Sequence, residues 1–166
     1  RSFYTVFPFW DTILHTLNGF LCAAIGFCLV DMFNRSEHFS LSLSPVFMAI
    51  VAFCFSMTIG VFWEFFELCA DKLFALDMQK DTVLHSLASV RLRSDGSVAV
   101  LRDITSVTVN GQDLGVGGYL DIGLHDTMKD LIVNFIGAVV FSIIGFFYVK
   151  AKGKGGFAAR FIPQVL

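Results

Sequence analysis

Charge is scarce in this chain. Asp, Glu, Lys and Arg make up 16% of its 166 residues, whereas a soluble domain carries about a quarter. So little charge argues against a particle solvated on every side. Basic patches are equally scarce: the formal net charge is −2 and the pI is about 6.0, which argues against nucleic-acid binding. The four cysteines, Cys22, Cys28, Cys54 and Cys69, have no CxxC spacing and fall in or beside apolar runs. They read as small packing residues rather than a disulfide framework or a zinc knuckle. No nucleophile elbow occurs, and Gly153-Lys-Gly-Gly156 lacks the spacing of a phosphate-binding loop. The opening residues lack the signal-peptide pattern of a charged start, a short apolar stretch and a small-residue cleavage site. They also lack an initiator Met, and the expectation is that further spans precede Arg1.

What the chain has is hydrophobic sequence in long runs. Hydrophobic residues make up 55% of it, twenty of them Phe, and the mean hydropathy is +0.71. The first run extends from Asp11 to Phe33. The second starts at Ser44-Pro45, a capping residue followed by proline at the first helical position. It runs to Trp63 and continues as helix through Glu64 and Glu67 to Phe74. The third extends from Thr127 to Tyr148. About twenty residues at ~1.5 Å each cross a ~30 Å hydrocarbon core. The fold class is therefore an all-α polytopic membrane protein with three transmembrane helices.

Between the second and third helices lies a different kind of sequence. Ser89–Arg102 alternates about Asp95-Gly96, and Asn110-Gly111 follows Ile104–Val109. Both dipeptides are hairpin-turn signals, so a small antiparallel β insert is expected: a three- or four-stranded meander with a two-residue turn at Asp95-Gly96. The expected division is residues 1–74 for the first two spans, 75–125 for the extramembrane insert, 126–150 for the third span and 151–166 for a basic tail. Residues 1–10, with Tyr4 and Trp10, read as an interfacial lead-in, and residues 34–44 as a short polar connection between antiparallel neighbours. Lys150, Lys152, Lys154 and Arg160 follow the third span closely, as cytoplasmic flanks do. That places the C-terminus in the cytoplasm and the insert outside it.

Polar residues recur at one end of all three runs. Asp11 and His15 are i,i+4, and Glu64 and Glu67 are i,i+3, so each pair shares a helix face. Asp126, Asp130 and Asn134 recur every four residues along a third face. Three antiparallel spans bring these ends together, with Asp71 beside them and Lys72 and Lys129 as the nearest cations. Ionisable groups at membrane depth are costly unless paired, and they mark sites. Repelling carboxylates are relieved by protonation, by cationic partners or by a bound cation. Carboxylates with one imidazole suit Zn, Mn or Fe, and carboxylates alone suit Mg or Ca. The candidate metal ligands are Asp11, His15, Glu64, Glu67, Asp126 and Asp130. Against this stands a plainer reading, in which acids at helix starts answer the macrodipole. It covers Asp11, Asp126 and Asp130 but not Glu64 and Glu67, which lie at the disfavoured end of their helix. His38, His85 and His125 are weaker candidates: His38 lies in the polar connection and the other two flank the insert.

Three motifs stand in order: Asp11-x3-His15-x3-Gly19, Trp63-Glu-Phe-Phe-Glu67, and Asp126-Thr-Met-Lys-Asp130-x3-Asn134-x2-Gly137. Together they resemble the YjdF-type bacterial inner-membrane proteins and, more distantly, VanZ-like proteins. The resemblance covers the spans and not the insert. It implies a multi-pass protein of the bacterial cytoplasmic membrane with additional upstream helices, and no settled activity. Two functions stay open: a metal- or carboxylate-dependent enzyme acting on an envelope or lipid-linked substrate, or a non-enzymatic ion or proton pathway or complex subunit whose insert binds a protein partner. The inner halves of the spans are almost wholly apolar, which favours a one-sided site.

Overall fold

The structure is a computed structural model that describes residue 7, residues 9–35 and residues 42–152. The element order is α1 (Trp10–Arg35), α2 (Pro45–Phe74), six short strands, and α3 (Leu124–Lys150). The strands are β1 (Thr82–Leu84), β2 (Leu87–Ser89), β3 (Ala99–Leu101), β4 (Thr108–Val109), β5 (Gln112–Asp113) and β6 (Tyr119–Asp121). By contacts the described chain divides into two compact units. One runs up to Glu67 and resumes at Met128; the other is Leu68–Thr127. Tyr4, most of the polar connection, Lys154 and Arg160 lie outside the described residues.

All three helices are long and apolar enough to cross a membrane. The first two helix starts have local causes. Asp11 lies in the first turn of α1, where its charge complements the dipole. Ser44 opens α2, its carbonyl accepting from Met48 N–H at 3.1 Å and its hydroxyl from Phe47 N–H at 3.2 Å. Along α1, Ile13, Leu17, Leu21, Ile25 and Leu29 form an exposed apolar row whose four-residue spacing fits a lipid-facing stripe. At the other end of α2, Ala75 takes a left-handed φ of 51°, which stops the helix.

Small residues let the helices of the first unit touch. A Cβ on Gly19 would collide with the Asn134 carbonyl of α3, and one on Gly137 with the Thr16 carbonyl of α1. α1 and α3 therefore meet backbone to backbone, running parallel, as the small-residue rule for membrane helices allows. α2 runs antiparallel to α1, and Ser56 Oγ donates to Gly19 O at 2.7 Å. Below this contact a core of Ala23, Phe27, Met48, Ala52, Ala138, Phe141 and Tyr148 closes the bundle. Phe20 and Phe27 set their rings edge-on to Phe141, with centroids 5.1 and 6.0 Å apart, the geometry aromatic quadrupoles prefer. Asn34 then ties α1 to the start of α2, accepting from Leu43 N–H at 2.8 Å.

The second unit corrects the expected meander. Its strands form three separate two-stranded antiparallel pairs, β1 with β6, β2 with β3, and β4 with β5. The Asn110-Gly111 turn holds: φ is positive at both residues (53° and 79°), and Val109 pairs with Gln112, as a tight two-residue hairpin requires. The turn at Asp95-Gly96 does not. Ser89 pairs with Ala99, leaving residues 90–98 as a loop with a 3-10 turn at Val90–Leu92. Local side-chain bonds compete with the ladder there. Ser89 Oγ accepts from Arg91 N–H at 3.0 Å, and Asp95 accepts from Ser97 N–H and Oγ–H at 2.9 and 2.7 Å.

Candidate metal centre

Where α1 and α3 touch at Gly19 and Gly137, the residues one to two turns nearer the polar end come together in the first unit. α1 contributes Asp11 and His15, α2 contributes Glu64 and Glu67, and α3 contributes Asp130. All five are buried, Asp130 to 1% exposure. The His15 ring lies at the centre. Its Nε2 is 3.6 Å from Asp11 Oδ1 and 3.7 Å from Asp130 Oδ2. Its Nδ1 is 3.7 Å from Glu64 Oε1. Two triplets have ligand atoms within 4.8 Å of one another: Asp11, His15 and Asp130, and His15, Glu64 and Glu67.

Neighbouring side chains orient these groups. Lys129 Nζ is 3.6 Å from Asp11 Oδ2 and 3.4 Å from Asp130 Oδ1. Each of these two carboxylates therefore turns one oxygen to the imidazole and the other to the ammonium. Trp63 Nε1–H donates to Glu67 Oε1 at 2.9 Å, fixing that rotamer from one turn back. Asn134, 1% exposed, lies a turn deeper than Asp130. Its amide packs against Gly60, where a Cβ would sit 2.6 Å from Nδ2 and 3.2 Å from Oδ1.

Five of the six expected ligands thus come together within the first unit. Asp126, the sixth, is buried and belongs to the unit that contains the insert, where its Oδ2 accepts from Lys80 N–H at 2.9 Å. Asp71 has a similar role: its two oxygens accept from Met78 and Gln79 N–H at 2.7 and 2.9 Å, holding the turn after α2. His125 sits beside Asp121, whose Oδ2 accepts from the His125 backbone N–H at 2.8 Å and lies 2.7 Å from Nδ1. Burial pushes the Asp121 carboxyl upward, but the His125 bonds outweigh it and hold the group below the usual carboxylate range. His85 Nδ1 lies 3.1 Å from Ile104 O. The orienting role of Trp63 had a signal in the sequence, its i,i+4 relation to Glu67. Gly60 had none beyond being small.

A family profile described as predicted membrane protein (DUF2238) matches residues 1–151. The chain belongs to that family. DUF2238 membership agrees with three apolar helices and covers every residue of the His15 cluster. No curated protein and no solved structure matches this DUF2238 chain.

Proposed function

We propose that this membrane protein binds a divalent cation at one end of its three-helix bundle and uses it for chemistry on an envelope or lipid-linked substrate. The observation that carries the reading is the spacing about His15. Separations of 3.6–3.7 Å between ring nitrogens and three carboxylate oxygens exceed hydrogen-bond reach. A charge-assisted bond would draw each pair to about 2.8 Å. Two ligands each about 2.1 Å from one tetrahedral ion lie about 3.4 Å apart, close to what these pairs keep.

An imidazole with carboxylates suits Zn, Mn or Fe better than Mg or Ca. A bound ion would supply Lewis acidity and an activated water. Asp11, His15, Glu64, Glu67 and Asp130 hold it, and Asp126 serves the adjoining helix start. Lys129 and Trp63 orient three of the carboxylates, as outer partners of metal ligands do. Lys129, whose side chain is 43% exposed, can also meet an anionic substrate group. In this reading the protein lies in the bacterial cytoplasmic membrane. Lys150 and Lys152 mark the cytoplasmic end of α3, and the insert faces outward, where it can dock a partner.

A second reading, a proton or ion pathway, has one observation in its favour. Asn134 Oδ1 and Ser142 Oγ, deeper along α3, are buried with no hydrogen-bond partner among the described residues, as water-lined routes require. Elemental analysis of the purified full chain beside His15→Ala and Glu64→Gln separates the two. Near-stoichiometric Zn, Mn or Fe in the parent, lost in both variants, supports the metal reading. A parent that stays metal-free after dialysis against each ion in turn overturns it.

A further inference from the structure

The site has a floor, made by the next layer of the bundle. Four residues deeper than His15, Glu64 and Asp130 on their helices stand Gly19, Gly60 and Asn134, all within the first unit. Two of these lack a side chain, and the amide of Asn134 takes the space they leave. A Cβ on Gly19 would collide with the Asn134 backbone carbonyl, and one on Gly60 would sit 2.6 Å from Nδ2 and 3.2 Å from Oδ1. The Cα–Cβ bond of a helical residue tilts toward the helix N-terminus. On α3 that tilt carries Asn134 toward Asp130. α2 runs the other way, so the same rule carries Glu64 toward Asn134.

The two branches of this amide differ. Nδ2 donates to Met57 Sδ at 3.6 Å, a weak acceptor that lies deeper along α2 than Gly60. Oδ1 belongs to a side chain 1% exposed and has no hydrogen-bond partner among the described residues. Buried acceptors are satisfied as a rule, and the branch that Met57 does not hold is the one left to meet a donor from the site. We propose that Asn134 is a positioning residue of the metal centre, its Oδ1 accepting a hydrogen bond from a water bound to the ion. The inference rests on the metal reading above. The reach fits: a water about 2.1 Å from an ion that donates over about 2.8 Å spans about 4.9 Å, close to the ~5.4 Å of one helical turn. One water proton held at the floor fixes the direction of the oxygen lone pairs before substrate arrives, and a nucleophile aligned in advance reacts faster.

The test loads the detergent-purified full chain with zinc, manganese and iron in turn, its Asn residues isotope-labelled at the side-chain carbonyl. Infrared difference spectra of loaded against metal-free protein should show one labelled carbonyl band moving to lower frequency, as acceptance of a new hydrogen bond requires. Asn18 and Asn34 already accept from Cys22 Sγ and Leu43 N–H, and Asn110 lies in the hairpin turn of the second unit, so the band belongs to Asn134. Asn134→Ala should lose that band and bind the ion about 10- to 100-fold more weakly, the range for an outer partner of a metal site. The spectrum of the parent stands whether or not the variant folds. A labelled spectrum that the bound ion leaves unchanged, or parental affinity in Asn134→Ala, overturns the role of Asn134 and leaves the metal reading standing. A parent that takes up none of the three ions overturns both.

Discussion

Gly137→Ala is the smallest perturbation that tests how the site is positioned. The added Cβ would collide with the Thr16 carbonyl and sit 2.8 Å from Phe20 N. Both are backbone atoms of α1, so no side chain can swing away. Restoring ordinary contact of about 3.5 Å parts α1 from α3 by roughly 0.7 Å or more at this point. Overpacking of this kind costs about 1–3 kcal/mol, offset by roughly 1 kcal/mol of helix propensity gained when Ala replaces Gly. The net loss of stability is modest, but the effect on the site is larger. α1 carries Asp11 and His15 and α3 carries Asp130, and a site tolerates only about 0.5 Å of displacement. Zinc affinity should fall by about 10- to 100-fold, the range seen when metal-site support is disturbed. The assay is competition against a fluorescent zinc chelator, with thermal unfolding in the same detergent. Ile132→Ala, on an exposed position of α3, serves as the control and should leave affinity unchanged. A Gly137→Ala protein with higher thermal stability and parental zinc affinity would refute the backbone contact between α1 and α3.

Other expectations concern single bonds and turns. Ser56→Ala removes the hydroxyl that donates to Gly19 O, and unfolding in detergent should show a loss of about 1 kcal/mol. Ala75→Gly relieves the left-handed backbone after α2 and should raise stability by about 1 kcal/mol by the same measurement; a decrease would contradict the φ. The lowered Asp121 carboxyl contributes stability that is present above the ordinary value of about 3.9 and lost as pH falls through its lowered value. Rate-corrected exchange protection of the His125 amide should therefore hold from pH 7 to about 4.5 and drop in stronger acid, and Asp121→Asn should abolish the drop. Protection that rises on acidification would show the sign to be wrong.

Much of this arrangement was legible in the sequence because it is periodic. Asp11 and His15, Glu64 and Glu67, and Asp130 and Asn134 each share a helix face by spacing alone, and three long apolar runs with a short first connection bring those faces to one end. The Asn110-Gly111 turn was legible because its chemistry is local. The rest depended on groups distant in sequence. The same four-residue stripe put Asp126 beside Asp130, but its carboxylate answers Lys80 N–H, a partner no periodicity reveals. The pairing of β1 with β6 joins the two ends of the insert, and that long-range contact replaced the expected meander. At Asp95-Gly96 the dipeptide signal was present, but the bonds within Ser89–Arg91 and Asp95–Ser97 favoured a wider loop. How His15 divides its two nitrogens between two sets of carboxylates is a matter of ring orientation, which spacing does not carry.

The central claim is that His15 and its surrounding carboxylates hold a divalent ion. X-ray absorption at the zinc edge of the loaded full chain tests it most directly. The account predicts a first shell of nitrogen and oxygen at about 2.0–2.2 Å, without sulfur, with outer-shell imidazole scattering that disappears in His15→Ala. A shell containing sulfur, or one that His15→Ala leaves unchanged, would contradict it.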